Sequence, residues 1–453
     1  MKQTVFKRLL GIFCVLLVFS QVAQVSYTYH KEQLELEEAA AGPKEPDRLT
    51  LWYTDEKLNA YLVEAAARFQ EQYGTEIILQ LVTAVDYIEH INTASISDLG
   101  GPDLFITSSE LLEKARLAGL TVENDSFLQN ELAMDFPQKA RDAATCGGKL
   151  MAYPFYFETC FLLYNKEYTE AAPATIEEIL AYSDSFEGGE GMEKVETIFK
   201  WNVADIFYDF FFIANYVNLG GVTGDNRGEV TLSADEVVEC LEYYQSLNEF
   251  FAIDADAVTT ESVLQEFLDG KIVYTIAKTD AIAKLDEAIA DELAAELPEQ
   301  EEEAVQAEEV QVTEEVSDTD NRYFYGIAQV PDLTGELQTR GLSVTNSVVV
   351  NAYSKERYLA KKFARYLTYE KADDLYAMTN KMPVKLGVQY ENPEMEVLLE
   401  QYENSLEVSK ITDLSNYWIE MEIAFANIWR GKHVRAEIMA VDDKIREQLR
   451  TKE

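Results

Sequence analysis

Apolar and polar positions change their period several times in the first third of the chain, and each change predicts a new element. Leu49 to Tyr53 reads as a short strand, after which Leu58, Tyr61, Leu62, Ala65 and Phe69 share one helical face until Gly74 stops it. Ile77 to Val82 returns as a strand and residues 85–96 as a helix. Gly101-Pro102 then breaks the chain ahead of a third strand, Leu104 to Thr107, and a helix from Glu110 to Ala118. This β-α-β-α-β order predicts an α/β fold with a mostly parallel sheet and helices on its faces. Such sheets bind ligands at the carboxyl ends of their strands, which points to the loops after Tyr53 and after Thr107.

The alternation resumes at Phe161 to Tyr164, and Thr175-Ile-Glu-Glu178, just after Pro173, has the capping-box spacing of a helix start. Further helices are predicted over Asp235 to Phe250, through Val237, Leu241, Tyr244 and Leu247, and over Glu356 to Tyr369, through Leu359, Phe363 and Leu367. A chain of 453 residues with 47% hydrophobic side chains can divide this core between two domains.

The N-terminus adds a destination. Lys2, Lys7 and Arg8 precede an apolar run from Leu9 to Phe19, the charge and length of an export signal, so residues 1–26 read as a signal sequence or membrane anchor. Phe13 before Cys14 is bulkier than a lipid-anchor site favours. Residues 27–46 are polar and acidic and read as a tether, which places the folded body on the extracellular face of the cytoplasmic membrane, tethered or released by cleavage. Residues 291–321 hold no basic side chain and read as an acidic insertion kept extended or loosely helical by self-repulsion. They lack the Asp-x-Asp-x-Asp-Gly loop of a calcium site.

Charge removes whole classes of function. With 38 Lys+Arg against 82 Asp+Glu, the net charge of -44 repels nucleic acid and anionic lipid. His30, His90 and His433 form no ligand pair, and Cys14, Cys146, Cys160 and Cys240 are dispersed, so no metal or other cofactor is expected. Cys146 and Cys160 read as buried free thiols in preference to a bridge. There is no phosphate loop, dinucleotide fingerprint or nucleophile elbow, and Gly220-Gly221 with Gly224 reads as a turn. Paired acids, the requirement of a glycosidase, are too abundant to be a signal. Trp52-Tyr53, Tyr153, Phe155-Tyr156, Trp201 and Tyr417-Trp418 lie near element ends, where an aromatic face either stacks on a sugar ring or fills the core.

The string from Gly147 to Lys166, GGKLMAYPFYFETCFLLYNK, resembles the crossover segment of family 1 extracellular solute-binding proteins, the maltose-binding-protein-like group. Leu49–Tyr53, Gly101–Phe105, Pro173–Glu178, Phe267–Val273, Tyr325–Pro331 and Ser354-Lys-Glu support it in the expected order, covering nearly all of the chain from Leu49 on. The resemblance implies a two-lobed periplasmic-binding-protein-like (Venus flytrap) fold with crossing hinge strands. Residues 47–156 with 342–386 would form the N-terminal lobe and 157–341 with 387–453 the C-terminal lobe, the chain crossing near Phe157 to Cys160, near Gly341 to Ser343 and after Met382-Pro383.

By the same resemblance the protein is a non-enzymatic monomer that closes on a small polar solute, a carbohydrate, and presents it to the transmembrane subunits of an ABC permease. A membrane-tethered sensor or docking protein of the same fold is the alternative. The implied cleft residues are Trp52, Thr54 and Asp55; Thr107, Ser108 and Glu110; Tyr156 and Glu158; Trp201 and Asp205; and Tyr417 and Trp418. Trp418 and Tyr156 would stack on the solute, while Glu158, Asp55, Glu110 and Ser108 would bond its hydroxyls. Two departures weigh against maltose itself: Thr107 stands where sugar binders of the group often carry an aromatic ring, and Lys278-Thr279-Asp280 replaces another.

Overall fold

The structure, a computed structural model, describes residues 47–83, 86–97, 100–124, 134–189, 191–296 and 323–450. The expected signal or anchor, the tether, Cys14 and most of the acidic insertion lie outside the described residues. A helix Ile282–Glu296 carries the first residues of that insertion. Ala and Glu are strong helix formers, and here they extend a helix already anchored through buried Ile282, Leu285 and Ile289.

Strands β1 (Arg48–Tyr53), β2 (Glu76–Leu81) and β3 (Leu104–Ser108) pair in parallel with β1 in the middle. Helix Asn59–Tyr73 makes the first crossover, burying Tyr61, Leu62, Ala65 and Phe69 and ending at Gly74, whose φ of 72° a side chain would resist. Beyond a small hairpin of β4 (Thr145–Cys146) and β5 (Lys149–Leu150) comes β6 (Tyr153–Asn165), 13 residues long. The chain continues through β7 (Thr197–Phe199), a second hairpin of β8 (Asn218–Leu219) and β9 (Val230–Thr231), then β10 (Ile272–Lys278) and β11 (Tyr325–Ala328). It ends its strands with β12 (Leu342–Val350), β13 (Met382–Pro383) and β14 (Leu406–Glu407).

The sheet order β2-β1-β3-β12-β6-β10-β7 is mixed where the sequence predicts mostly parallel. The reason is the crossing: β6 and β12 each run through both lobes and meet their neighbours β3, β10, β11 and each other antiparallel. The first half of β6, Tyr153 to Thr159, pairs with β12, and its second half, Cys160 to Asn165, pairs with β10 and β11. A bulge lies between Asn346, opposite Tyr156, and Ser347, opposite Pro154. Pro154 has no N–H to contribute, so the ladder breaks there at little cost.

Two hydrophobic clusters follow. The first gathers β1, β3, the N-terminal half of β6 and helix Arg357–Arg365, and also takes Phe267, Leu285, Tyr325 and Tyr402 from later segments. The second holds Trp201, Tyr244, Phe425 and Trp429. Phe161 and Leu163 point to the first and Cys160, Leu162 and Tyr164 to the second, so the pleat of one strand divides the two cores. Trp201 is fully buried, stacked on Phe199 with ring centroids 4.7 Å apart, and its indole N–H donates to Asp209 Oδ1 at 2.8 Å. Burial holds the Asp209 carboxyl well above the ordinary range, opposed by the bonds from Trp201 and Tyr244.

Two substitutions test this packing. β11 passes so close to β6 that a Cβ on Gly326 would lie 2.0 Å from the Tyr164 ring, so Gly326→Ala should cost about 1–3 kcal/mol in urea unfolding through overpacking. Trp201→Phe removes the N–H that serves buried Asp209, and the same measurement should register a loss of about 1–3 kcal/mol.

Candidate functional site

Helix Ala372–Thr379 ends at Asn380, which takes the left-handed conformation (φ 55°) and returns its N–H to Tyr376 O at 2.7 Å. The chain is thereby delivered to β13, whose Met382 pairs with Phe157 and Pro383 with Tyr156 of β6. One step further along the same register, Lys381 stands across from Glu158. Its Nζ lies 3.1 Å from Glu158 Oε1 and 2.7 Å from Asp55 Oδ2, and the side chain is nearly buried. Burial pulls the Lys381 pKa down, but Glu158 and Asp55 more than offset it and the net shift is upward. Asp55 reaches this position because its other oxygen caps the turn after β1, accepting from Lys57 N at 3.0 Å.

Asp55, Tyr156 and Glu158, read separately from the sequence, are thus brought together by a lysine that the sequence reading passed over. The signal was available in principle, since Lys381 immediately precedes the Met382-Pro383 crossing. Its ammonium lies 5.2 Å from the centre of the Tyr156 ring. Tyr156 is itself only 3% exposed, so its face supports Lys381 and is not open for stacking, a correction to the expected role. Lys57, Thr379 and Asn380 continue this wall, and Thr279 and Asp280, at the end of β10, face them across a narrow pocket that touches both Glu158 and Lys381.

Along β3 and the turn after it the side chains divide. Thr107 is buried, Ser108 ends the strand opposite Asn346, and Glu110 is exposed. Loss of solvation nevertheless raises the Glu110 pKa, the combination expected of a carboxyl in a concave surface. Thr54 is exposed beside Asp55. Trp52 is buried against His90, centroids 5.2 Å apart, because β1 points it into the first cluster and not out of the strand end.

Asp205 caps the short helix Ile206–Asp209 by accepting from Phe207 N at 2.9 Å. Lys278 Nζ lies 5.3 Å from the Phe207 ring centre and 5.5 Å from that of Tyr208, and both Asp205 and Asp280 act on the Tyr208 hydroxyl electrostatically. Trp418 is partly buried, its edge toward Phe210 at 5.1 Å. Tyr417 is fully buried, since adjacent residues of helix Tyr417–Trp429 point about 100° apart and only one can leave the core. Trp201, as described above, is likewise a core side chain. Trp52, Trp201 and Tyr417 therefore offer no stacking face, and Trp418 is the one aromatic of the expected set that stays partly open.

Asp55, Glu158, Lys57 and Lys381 thus form one polar wall, with Thr279 and Asp280 across a narrow pocket from it. It is suited to multiple hydrogen bonds with a polyhydroxylated molecule. Among the described residues no group of His, Cys, Asp and Glu could hold a metal, and no helix is long and apolar enough to cross a membrane.

The chain is similar in sequence and in fold to known proteins. The chain is 22% identical over 310 residues to the maltodextrin-binding protein MdxE of Bacillus subtilis (strain 168), covering 66% of each chain. It is 27% identical over 173 residues to the maltotriose-binding protein of Pyrococcus abyssi (strain GE5 / Orsay), covering 38% of this chain and 36% of that one. An extracellular solute-binding protein from Staphylococcus aureus, solved in complex with maltose, superposes with a TM-score of 0.72 at 19% identity over 90% of this chain and 99% of its own, which shows the fold. The family model for bacterial extracellular solute-binding protein matches residues 64–397, and the chain, with its two-lobed fold, belongs to that family, one of binding proteins and not enzymes.

Proposed function

We propose that the protein captures an oligosaccharide of the maltodextrin class between its lobes and presents it to the transmembrane subunits of an ABC permease. The observation that carries this reading is the Asp55–Lys381–Glu158 cluster, faced across a pocket by Thr279 and Asp280 of the other lobe. A molecule bonded to both walls favours the lobe arrangement that brings them together, and the population of that arrangement tells the permease that the protein is loaded. The solute class is supported by the relatives, two of which are named for maltodextrin and maltotriose binding. The departures at Thr107 and at Lys278-Thr279-Asp280 favour a longer or differently seated oligosaccharide over maltose. The apolar run near the N-terminus supports an exported protein working at the outer face of the membrane.

Titration calorimetry and thermal unfolding with maltose, maltotriose, maltotetraose, and unrelated sugars and peptides as controls test the reading. A true solute at about a hundred times its Kd should add about 2.7 kcal/mol of stability. No response to any α-glucan by a well-folded protein would remove the carbohydrate assignment. Trp418→Ala should weaken the same titration about 10- to 100-fold while the unliganded melting temperature changes little, because the ring is only partly packed. Glu158→Gln should weaken binding about tenfold and cost under about 1 kcal/mol of stability, since Asp55 still neutralises Lys381.

A further inference from the structure

Alternate residues of β6 point to opposite faces, so Glu158 faces the cleft while Phe157 stacks on Tyr402 with centroids 4.3 Å apart. From the Glu158 side a groove leads away between two helices. Helix Ile282–Glu296 buries Ile282, Leu285 and Ile289 in the first cluster, and the stripe beside them, Ala283, Asp286 and Ala290, lies toward helix Ala372–Thr379. Ala283 lines the narrow pocket next to Lys381, while Asp286 and Ala290 line a wider cavity of about 430 Å³, and the two spaces meet at Asn380, which lines both. At about 1.5 Å per residue, the stripe from Ala283 to Ala290 runs about 10 Å. The loop after β13 closes the far side. Gly387, with φ 79°, turns the chain, and Asn392 caps the next turn by accepting from Glu394 N at 3.0 Å, so Gln389 and Tyr390 are held against the cavity between two fixed points.

The lining has the chemistry of a surface for neutral, hydroxylated rings. Tyr376 and Tyr390 are half-buried and stand edge to face, with centroids 5.1 Å apart and planes at 86°. The Tyr376 hydroxyl donates to Asp286 Oδ2 at 3.0 Å, and Asp286 Oδ1 accepts from the Tyr325 hydroxyl at 3.3 Å. Burial, reinforced by the charge of Asp286, raises the Tyr376 pKa, so the hydroxyl stays a donor and the ring stays in place. A ring fixed in advance loses little freedom when a ligand packs on it. Asn380 and Gln389 add side-chain amides, which both donate to and accept from hydroxyls. The charged groups of the lining are Asp286 and Glu391, with no Lys, Arg or His among the described lining residues, an environment that disfavours an anion. The volume falls in the range of small-molecule sites.

We propose that this cavity is a subsite for the outer units of a longer α-glucan whose inner units occupy the cleft beside Lys381 and Glu158, a proposal that rests on the carbohydrate reading above and extends it. Tyr390 supplies the packing surface, and Asn380 and Gln389 bond hydroxyls. Because the cavity lies beyond the cleft cluster, it adds affinity only for chains long enough to reach it.

The test is titration calorimetry of the full chain with maltose and maltotriose against maltopentaose and maltoheptaose. The longer pair should bind about tenfold or more tighter, and Tyr390→Ala should weaken them about tenfold while leaving maltose and maltotriose within about twofold. Tyr390→Phe keeps the ring and should keep the gain. Ala377 is an exposed lining residue on a helix, where Arg is well tolerated, so Ala377→Arg fills the cavity from outside the core and should remove the gain of the longer sugars even if Tyr390→Ala misfolds. Equal affinities for short and long chains, or a gain with length that neither Tyr390→Ala nor Ala377→Arg reduces, would overturn the subsite and leave the carbohydrate reading standing. Failure of every α-glucan to bind would overturn both.

Discussion

The register of β6 is the constraint on which the rest of this molecule depends. A strand has a side-chain period of two, so sliding β6 by one residue against β12 and β13 would turn Glu158 toward Tyr402 and put Phe157 beside Lys381. Two apolar cores and a salt-bridged cleft are assigned to their sides by that single alternation. The bulge at Pro154 confines the one irregularity of the ladder to the N-terminal end, ahead of Tyr156 and Glu158.

The elements that the sequence made legible are those whose periodicity is local. The helix that buries Leu62 and Phe69, the cap at Thr175, whose hydroxyl accepts from Glu178 N at 3.2 Å, and the strand through Leu104 and Phe105 each carry their signal within a few residues. The crossing strands were visible through the motif around Tyr156 and Glu158, but not their antiparallel sense, which is set by where the chain returns from. Aromatic side chains misled for a related reason. Trp52, Trp201 and Tyr417 all sit near element ends, yet a ring at an element end turns inward or outward according to packing from segments far away in sequence.

Lys381 illustrates the opposite failure. Its one local mark is its place just before Met382-Pro383, while its role comes from lying opposite Glu158 across β13 and β6 and within reach of a capping aspartate some three hundred residues earlier in the chain.

The composition of the first hydrophobic cluster has a consequence for the order in which the protein can be built. It takes Leu49 and Leu51 near the start, Phe267 and Leu285 from the middle, Phe363 beyond them and Tyr402 near the end. A chain emerging from the ribosome therefore cannot close this core until nearly all of it has been made, and contacts of such long sequence separation form slowly even then. Folding is postponed by topology alone, which keeps the polypeptide threadable for as long as it is being synthesised.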